Sequence, residues 1–394
     1  MARVKSGFRK RFNIRYWRWQ ATHATIGKIG VLRRRFSFYP RAVHPTRVAT
    51  RVLEDRSFDL PTLFTPEETA FVRDKCWPYD TLAGDWAGEP SAKARQIAVT
   101  IRDAEMLGHV GLIMAPQHQA VVMSQEGTAN WNFAKAKTLR QDLPVAGRCH
   151  FLARTDNYYH ALFHDLVPLV DYLERLHPRG MPLTLVCTPA RLAILRQACA
   201  LLEKAYPGLR TIELAEDAKV PVGEALWLSF EAGNAEWNFA DAAPVHRLAE
   251  IFREHYGVPR GGSRRLFFSR GGSKIRRLLN EDALFEIAKA HGFERFEARA
   301  DNQAEQVRSF SEADIVIGVH GAGLGNLAFC RPGTKMLEIF PENFTKSTYL
   351  WVSRHIGLDY HWIVGGRGDY DQAFSLDETA FRQKLEALLR QELT

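Results

Sequence analysis

Three segments carry residue types whose spacing suits chemistry. The first, ADIVIGVHGAGLGNLAFCRPGTKMLEIFP, covers residues 313–341. An apolar strand is expected to end in HGAGLGN, where a helix begins. Such a turn aims backbone N–H groups past the strand end, and a phosphate suits that position. His320, Gly321, Ala322, Gly323 and Asn326 fall in it, and glycine permits close approach and unusual backbone angles. Glu338, at the end of the next expected strand, is placed to accept hydrogen bonds from ribose hydroxyls. The glycine pattern on its own also fits any tight βα turn.

The second segment is RLFFSRGGSKIRRLLNE, residues 265–281. Arg270 leaves the end of an expected strand, and Lys274, Arg276 and Arg277 follow on the loop before a helix. Both loops belong at the C-terminal edge of one sheet, where open α/β sheets take ligands. Several guanidinium groups beside such a turn suit a diphosphate. A solvated basic loop is the plainer alternative. The third segment is DNYYHALFHDLVP, residues 156–168. His160 and His164 stand at i, i+4 and share a helix face. Asp165 is turned roughly 140° from His160 on an ideal helix. The histidine pair suits either metal ligands, with no convincing third, or ordinary core packing.

The elements that must position these segments alternate in an α/β rhythm. A strand pair is expected at 111–116 and 120–125 and a helix at 157–177. Strand 183–187, helix 190–206, and strands 210–214 and 225–230 follow. Residues 231–244, EAGNAEWNFADAAP, read as an inter-domain linker, followed by a helix at 245–256. In the second half the spacing predicts strand 266–269, a helix capped by Asn280 and ended by Gly292, and helix 303–312. Strand 314–319, a short helix at 327–330 and strand 335–340 come next. The last helix is expected to open with a capping box, Ser375 with Glu378. Phe381, Leu385, Leu388 and Leu389 line one face of that helix. The expected domains are an arm at 1–50, a first α/β domain at 51–235 and a second at 245–394, whose last helix is free to pack back on the first.

A chain of 394 residues, 46% hydrophobic and 25% charged, can bury two cores. Its five cysteines are odd in number and include no CxxC pair. A disulfide framework and a structural zinc site are therefore not expected, and a reducing compartment fits best. The longest near-apolar run, 315–330, is too short to span a bilayer and holds His320 and Asn326. No signal peptide is evident, so a soluble chain with its bulk in the cytoplasm is the expectation.

The net charge of +8 is unevenly placed. Residues 1–53 hold fourteen Lys or Arg and no acid, so the rest is mildly acidic. That pattern does not describe a basic surface gripping nucleic acid. Read as a helix, Val4, Phe8, Phe12, Tyr16 and Trp19 share one face, and Arg3, Lys10, Arg11 and Arg18 another. Such an arm suits an anionic membrane surface through residues 1–20, at the inner face of the membrane. A disordered basic tail is the competing reading.

A dinucleotide fold competes for the glycine turn, but Asn326 stands where GxGxxG needs its third glycine. Taken together, LFFSR, RRLLNE, the run from AEQVRSFSEADIVIGVHGAG to LEIFP, and DNYYHALFHDLVP resemble glycosyltransferase family 61. That family includes plant xylosyl- and arabinosyltransferases and animal O-linked N-acetylglucosaminyltransferases. The likeness is strongest over 263–341. In the third segment one position departs: His164 stands four residues after His160, where an acid is expected, and Asp165 follows.

The resemblance implies a GT-B-like fold, two Rossmann-like domains facing a cleft, and an inverting glycosyltransferase. Its donor is a nucleotide-sugar, and no bound metal or other cofactor is required. The acceptor is a hydroxyl, and the membrane-seeking arm points to a glycan or a lipid-linked saccharide of surface polysaccharide synthesis. On this reading Arg270 and Arg277 hold the diphosphate, with Arg276 as substitute. His320 and the Gly321–Gly323 amides complete that pocket, Asn326 fixes the loop and Glu338 binds ribose. His160 and Asp165 are the candidates for the base. A histidine's ordinary pKa near 6.5 suits that role at neutral pH. Asp369-Tyr370-Asp371 could be read as a metal motif, but its glycine-rich setting suits a surface turn. Two other classes stay open, a nucleotide-dependent oxidoreductase and a catalytically silent membrane-surface binding module.

Overall fold

The period-two and period-3.6 patterns resolve into two sheets in the computed structural model. It describes residues 41–59, 64–76, 93–108, 112–118, 120–122, 139–152, 157–188, 193–232, 242–259 and 261–390. The expected membrane-seeking helix of residues 1–20 lies outside these, as does most of the expected linker.

The first sheet has ten strands: β1 (Arg41–Val43), β2 (Arg51–Asp59), β3 (Lys93–Leu107), β4 (Leu112–Ala115), β5 (Ala120–Val122), β6 (Arg140–Gln141), β7 (Val145–Leu152), β8 (Leu183–Cys187), β9 (Leu209–Glu213) and β10 (Ala218–Ala232). Its centre is the long antiparallel pair β3–β10. Along β3 the side chains alternate: Ile97, Val99 and Ile101 enter one core cluster, while Ala98 enters the other. β7, β8 and β9 run parallel, and β10 is parallel to β7. This mixed sheet is not the all-parallel one that a Rossmann-like first domain would have. Residues 41–43 pair with β5, so the expected arm boundary at residue 50 falls inside the sheet.

The second sheet is wholly parallel: β11 (Arg264–Ser269), β12 (Glu294–Glu297), β13 (Ala313–Val319), β14 (Lys335–Phe340) and β15 (Asp359–Val364), in the order β12-β11-β13-β14-β15. β13 and β14 are almost continuously apolar because both faces of the sheet are covered. Val316, Met336 and Phe340 join the cluster shared with the first half, whereas Ile315, Ile317, Leu337 and Ile339 face a separate one.

Among the described residues the α-helices are α1 (Pro66–Lys75), α2 (Tyr158–His160), α3 (Val167–Arg175), α4 (Ala193–Ala205), α5 (Ala243–Tyr256), α6 (Glu281–Lys289), α7 (Gln303–Ser311), α8 (Thr348–Ile356) and α9 (Glu378–Arg390). A 3-10 helix spans Ala322–Phe329. Among the described residues no helix is long and apolar enough to cross a membrane.

Three expectations about packing are corrected. α9 sets Phe381, Leu385 and Leu388 against Ile315, Ile317 and Leu337 of the second sheet, not against the first half. Its cap is Asp377, whose Oδ1 accepts from the Ala380 N–H at 2.7 Å, instead of Ser375. Asn280 makes no side-chain cap either. Its amide bonds both backbone groups of Leu376, because α6 and the segment before α9 lie side by side.

α1 crosses to the other half. Phe71 stacks on Trp362 of β15 with ring centroids 4.4 Å apart, and Phe64 meets Trp351 edge-on at 4.5 Å. Glu68, 2% exposed, closes a capping box with Thr65 and also accepts from Arg354 Nε at 2.9 Å. A domain boundary that leaves all of 51–235 with the first sheet therefore misplaces this segment.

Candidate functional site

The third motif lies on a helix whose turn changes pitch. Asn157 caps it, its Oδ1 accepting from the Tyr159 N–H at 3.0 Å. α2 then passes into a π-helical stretch, Ala161–Leu166, before α3 resumes. Pro168 supplies the reason. It lacks an N–H, and its ring opposes the carbonyl of His164 four residues back, so the turn widens to i→i+5 bonding. Residues five apart draw toward one face in such a turn, which reduces the 140° separation expected between His160 and Asp165. Asp165 and His164 are buried and His160 is half-buried. Nδ1 of His160 lies 2.9 Å from Nδ1 of His164. Tyr159 meets both imidazoles edge-on at 5.5 Å. His164, which occupies the position expected of an acid, is thus the direct partner of His160.

The cations come from the C-terminal edge of the second sheet. Arg270 leaves β11, and its Nη1 donates to the carbonyl of His320. Arg276 Nε donates to that same oxygen at 3.1 Å. Gly321 allows this approach, because a Cβ there would stand 1.7 Å from Arg270 Nη1. The choice between neighbouring arginines is made by the backbone. Arg276 adopts φ 54, a left-handed conformation uncommon for a side-chain-bearing residue. Its N–H donates to the Asp371 carbonyl at 2.8 Å, and the Arg277 carbonyl accepts from Phe374 at 2.9 Å. These contacts turn Arg276 inward, over the Phe344 ring at 4.8 Å, and leave Arg277 exposed. Asp369 Oδ1 accepts from the Asp371 and Ala373 N–H groups at 2.9 Å, closing the turn that holds this loop.

Burial, followed by the like charge of Arg276, pushes the Arg270 guanidinium down to about 10. Burial lowers Arg276 as well. Both remain cations at neutral pH. Neither has a carboxylate partner among the described residues, and Arg270 Nε is a buried donor with no acceptor there. Two desolvated positive charges on one carbonyl oxygen are costly without an anion.

Glu338 is fully buried and does not face a ribose-sized space. Its Oε1 lies 2.6 Å from His320 Nδ1, and its Oε2 accepts from the Tyr360 hydroxyl at 2.6 Å. Burial holds the Glu338 carboxyl well above the usual carboxylate range, against the pull of Tyr360 and Arg276. His320 is held well below its ordinary value by burial, then by Arg276, Lys346 and Arg270. Both shifts favour the uncharged forms of the pair. In those forms the Glu338 acid donates to Nδ1 and the imidazole carries its proton on Nε2.

Asn326 joins the two halves. Its Oδ1 accepts from the Tyr158 hydroxyl at 2.7 Å, and its Nδ2 donates to Gln306 Oε1 and to the Gly323 carbonyl, each at 2.9 Å. Gly323 packs against the Phe268 ring, where a Cβ would stand 2.7 Å away. The Gly321 carbonyl accepts from the Tyr349 hydroxyl at 2.7 Å.

A cavity of about 160 Å³ brings the two motifs together. His160 and Asn157 line it from the first half, and Arg276, His320, Gly321 and Ala322 from the second. Lys346, Thr348 and Tyr349 also line it. These three carry no motif, but they follow β14 at the same sheet edge, and that position was the signal available for them.

Comparison with known proteins identifies the segment that carries both motifs. Residues 158–337 match the family model described as Glycosyltransferase 61. A beta-1,2-xylosyltransferase of Oryza sativa subsp. japonica, RCN11, is 42% identical over 62 residues, 16% of this chain and 12% of the relative. A beta-1,2-xylosyltransferase of Arabidopsis thaliana is 26% identical over 136 residues, 31% of this chain and 24% of the relative. The xylan glycosyltransferase MUCI21, also of Arabidopsis thaliana, is 31% identical over 100 residues, 24% and 20% of the two chains. The chain thus spans no more than a quarter of the length of these curated relatives.

Proposed function

We propose that this chain is an inverting glycosyltransferase that moves a sugar, a pentose by likeness to the xylosyltransferases, from a nucleotide-sugar to a hydroxyl of a glycan or lipid-linked saccharide. The observation that carries the reading is the pair Arg270 and Arg276, converging on the His320 carbonyl with Arg270 Nε buried and without an acceptor. A diphosphate supplies the missing anion. The family match over 158–337 and the names of the relatives support the reaction class.

In this reading the acceptor oxygen attacks the anomeric carbon in line as the carbon–oxygen bond to the diphosphate breaks. His160 takes the hydroxyl proton at Nε2, since its Nδ1 is turned on His164. Arg270, Arg276 and the Nε2–H of His320 stabilise the leaving diphosphate, the task a metal ion performs in other transferases. The two sheets act as the two faces of a GT-B-like cleft. The arm of residues 1–20 holds the enzyme at an anionic inner membrane surface in the cytoplasm. Liposome sedimentation that survives deletion of that arm would remove the membrane part of this proposal.

The primary test is calorimetry with nucleoside diphosphates and nucleotide-sugars in the presence of a chelator. Saturable binding of the diphosphate, with much weaker binding of the free nucleoside, is the expected result. Preferential binding of a nicotinamide dinucleotide would instead favour an oxidoreductase.

A further inference from the structure

Away from the cavity, two thiols of the first half meet. Cys187 ends β8, and Cys199 sits in the middle of α4, the helix that packs over the same sheet. Their sulfurs are 3.2 Å apart, and both residues are buried, at 5% and 6% exposure. A disulfide has its sulfurs about 2.0 Å apart, so side chains already in contact must close by about 1.2 Å. The apolar face of α4, with Leu195, Ala198 and Leu202 in the core, holds Cys199 over the strand end.

We propose that Cys187 and Cys199 are a disulfide-forming pair, oxidised by thiol–disulfide exchange with a small disulfide of the glutathione class. The first thiol loses its proton and attacks one sulfur of the oxidant, releasing one reduced thiol and leaving a mixed disulfide. The second, deprotonated in turn, attacks the protein sulfur of that mixed disulfide and releases the other reduced thiol. The protein loses two electrons and two protons, and the oxidant gains both. The hydrogen bond between the two sulfurs, with burial, pushes the Cys187 thiol up. Burial confines the exchange to folding or to local opening of α4.

The linkage ties α4 to the edge of the sheet beside the helix that carries His160. Cys187 pairs in register with Leu152, the last residue of β7, and it feels the charge of Asp165. Surrounding redox poise decides the state of the pair: a thiol contact in a reducing compartment, a staple in an oxidising one. The proposal is independent of the reading of the cavity.

Refolding the full chain with oxidised glutathione, blocking free thiols in denaturant and counting them tests it directly. Three of the five cysteines should react, against all five after reduction. Peptide mapping should find one cross-linked pair holding Cys187 and Cys199, lighter by two hydrogens. Cys76→Ser should lower both counts by one and keep the linkage, and oxidised wild type should melt above reduced wild type. Five reactive thiols after oxidative refolding, or a cross-link that joins other cysteines, overturns the assignment.

Discussion

The second half delivers its cations from short loops at the edge of a parallel sheet, whereas the first delivers its imidazoles from within a helix. At the sheet edge, strand order fixes where a loop emerges, and local backbone contacts choose which side chain turns inward. Arg276 and Arg277 are neighbours in sequence, yet one lines the cavity and the other faces solvent. Within the helix, pitch is the variable. A widened turn ahead of Pro168 determines which residues share a face with His160. Loss of a cation should therefore be a local event, while the helix concentrates its chemistry in one imidazole pair.

The sharpest test of that contrast is His160→Ala. Turnover should fall by roughly 10²–10⁴-fold, the usual contribution of proton transfer, with donor affinity near wild type. Steady-state kinetics beside donor calorimetry checks this. A folded variant with near-normal turnover would move the role to Asp165.

Next in size are the arginines. Arg270→Ala and Arg276→Ala should each weaken nucleoside diphosphate binding by about 1.5–3 kcal/mol, roughly 10- to 150-fold. Arg277→Ala should leave it unchanged. Equal losses at 276 and 277, measured by calorimetry, would break the distinction drawn between them. Gly321→Ala approaches the same point from the backbone. The new methyl displaces the flexible end of Arg270, so affinity should drop about tenfold with little change in melting temperature. A variant that binds as tightly as wild type would show that Arg270 is not held where the ligand needs it.

The smallest effect belongs to Glu338→Gln. Native Glu338 keeps its proton above 4.5, where the unfolded chain has released it, so the native state binds more protons there. Its contribution to stability is complete below that pH and is lost as pH rises toward the folded value. Glutamine has no such proton to lose and can make both contacts of the protonated acid. Wild type should lose stability relative to the variant as pH rises above 4.5, followed by urea midpoints. His320 is common to both proteins and largely drops out of the difference. Parallel curves would show that Glu338 is ionised.

Much of the second sheet was legible in sequence because each strand is a short apolar run closed by its own turn signal. Strand 335–340 is found where the apolar pattern places it, and strand 314–319 begins one residue earlier, at Ala313. The grouping of His320 with two arginines followed from the rule that βα loops meet at one edge. Which arginine points inward did not, because Asp371 and Phe374, about a hundred residues on, set that backbone. Glu338 was read by its position at a strand end, but the ring and hydroxyl that enclose it come from other strands. Pro168 was visible in the third motif, and its effect on helix pitch could have been drawn from the sequence alone. The docking of α1 could not, since it depends on tryptophans nearly 300 residues away.

That docking bears on any attempt to divide the protein for expression. Cutting near residue 240 gives an N-terminal fragment that carries Phe64, Phe71 and Glu68 away with it. The C-terminal fragment would then present Trp351 and Trp362 as a bare aromatic surface, with Arg354 deprived of its carboxylate. Such a fragment should aggregate when produced alone and recover solubility when residues 64–76 are supplied in trans as a peptide.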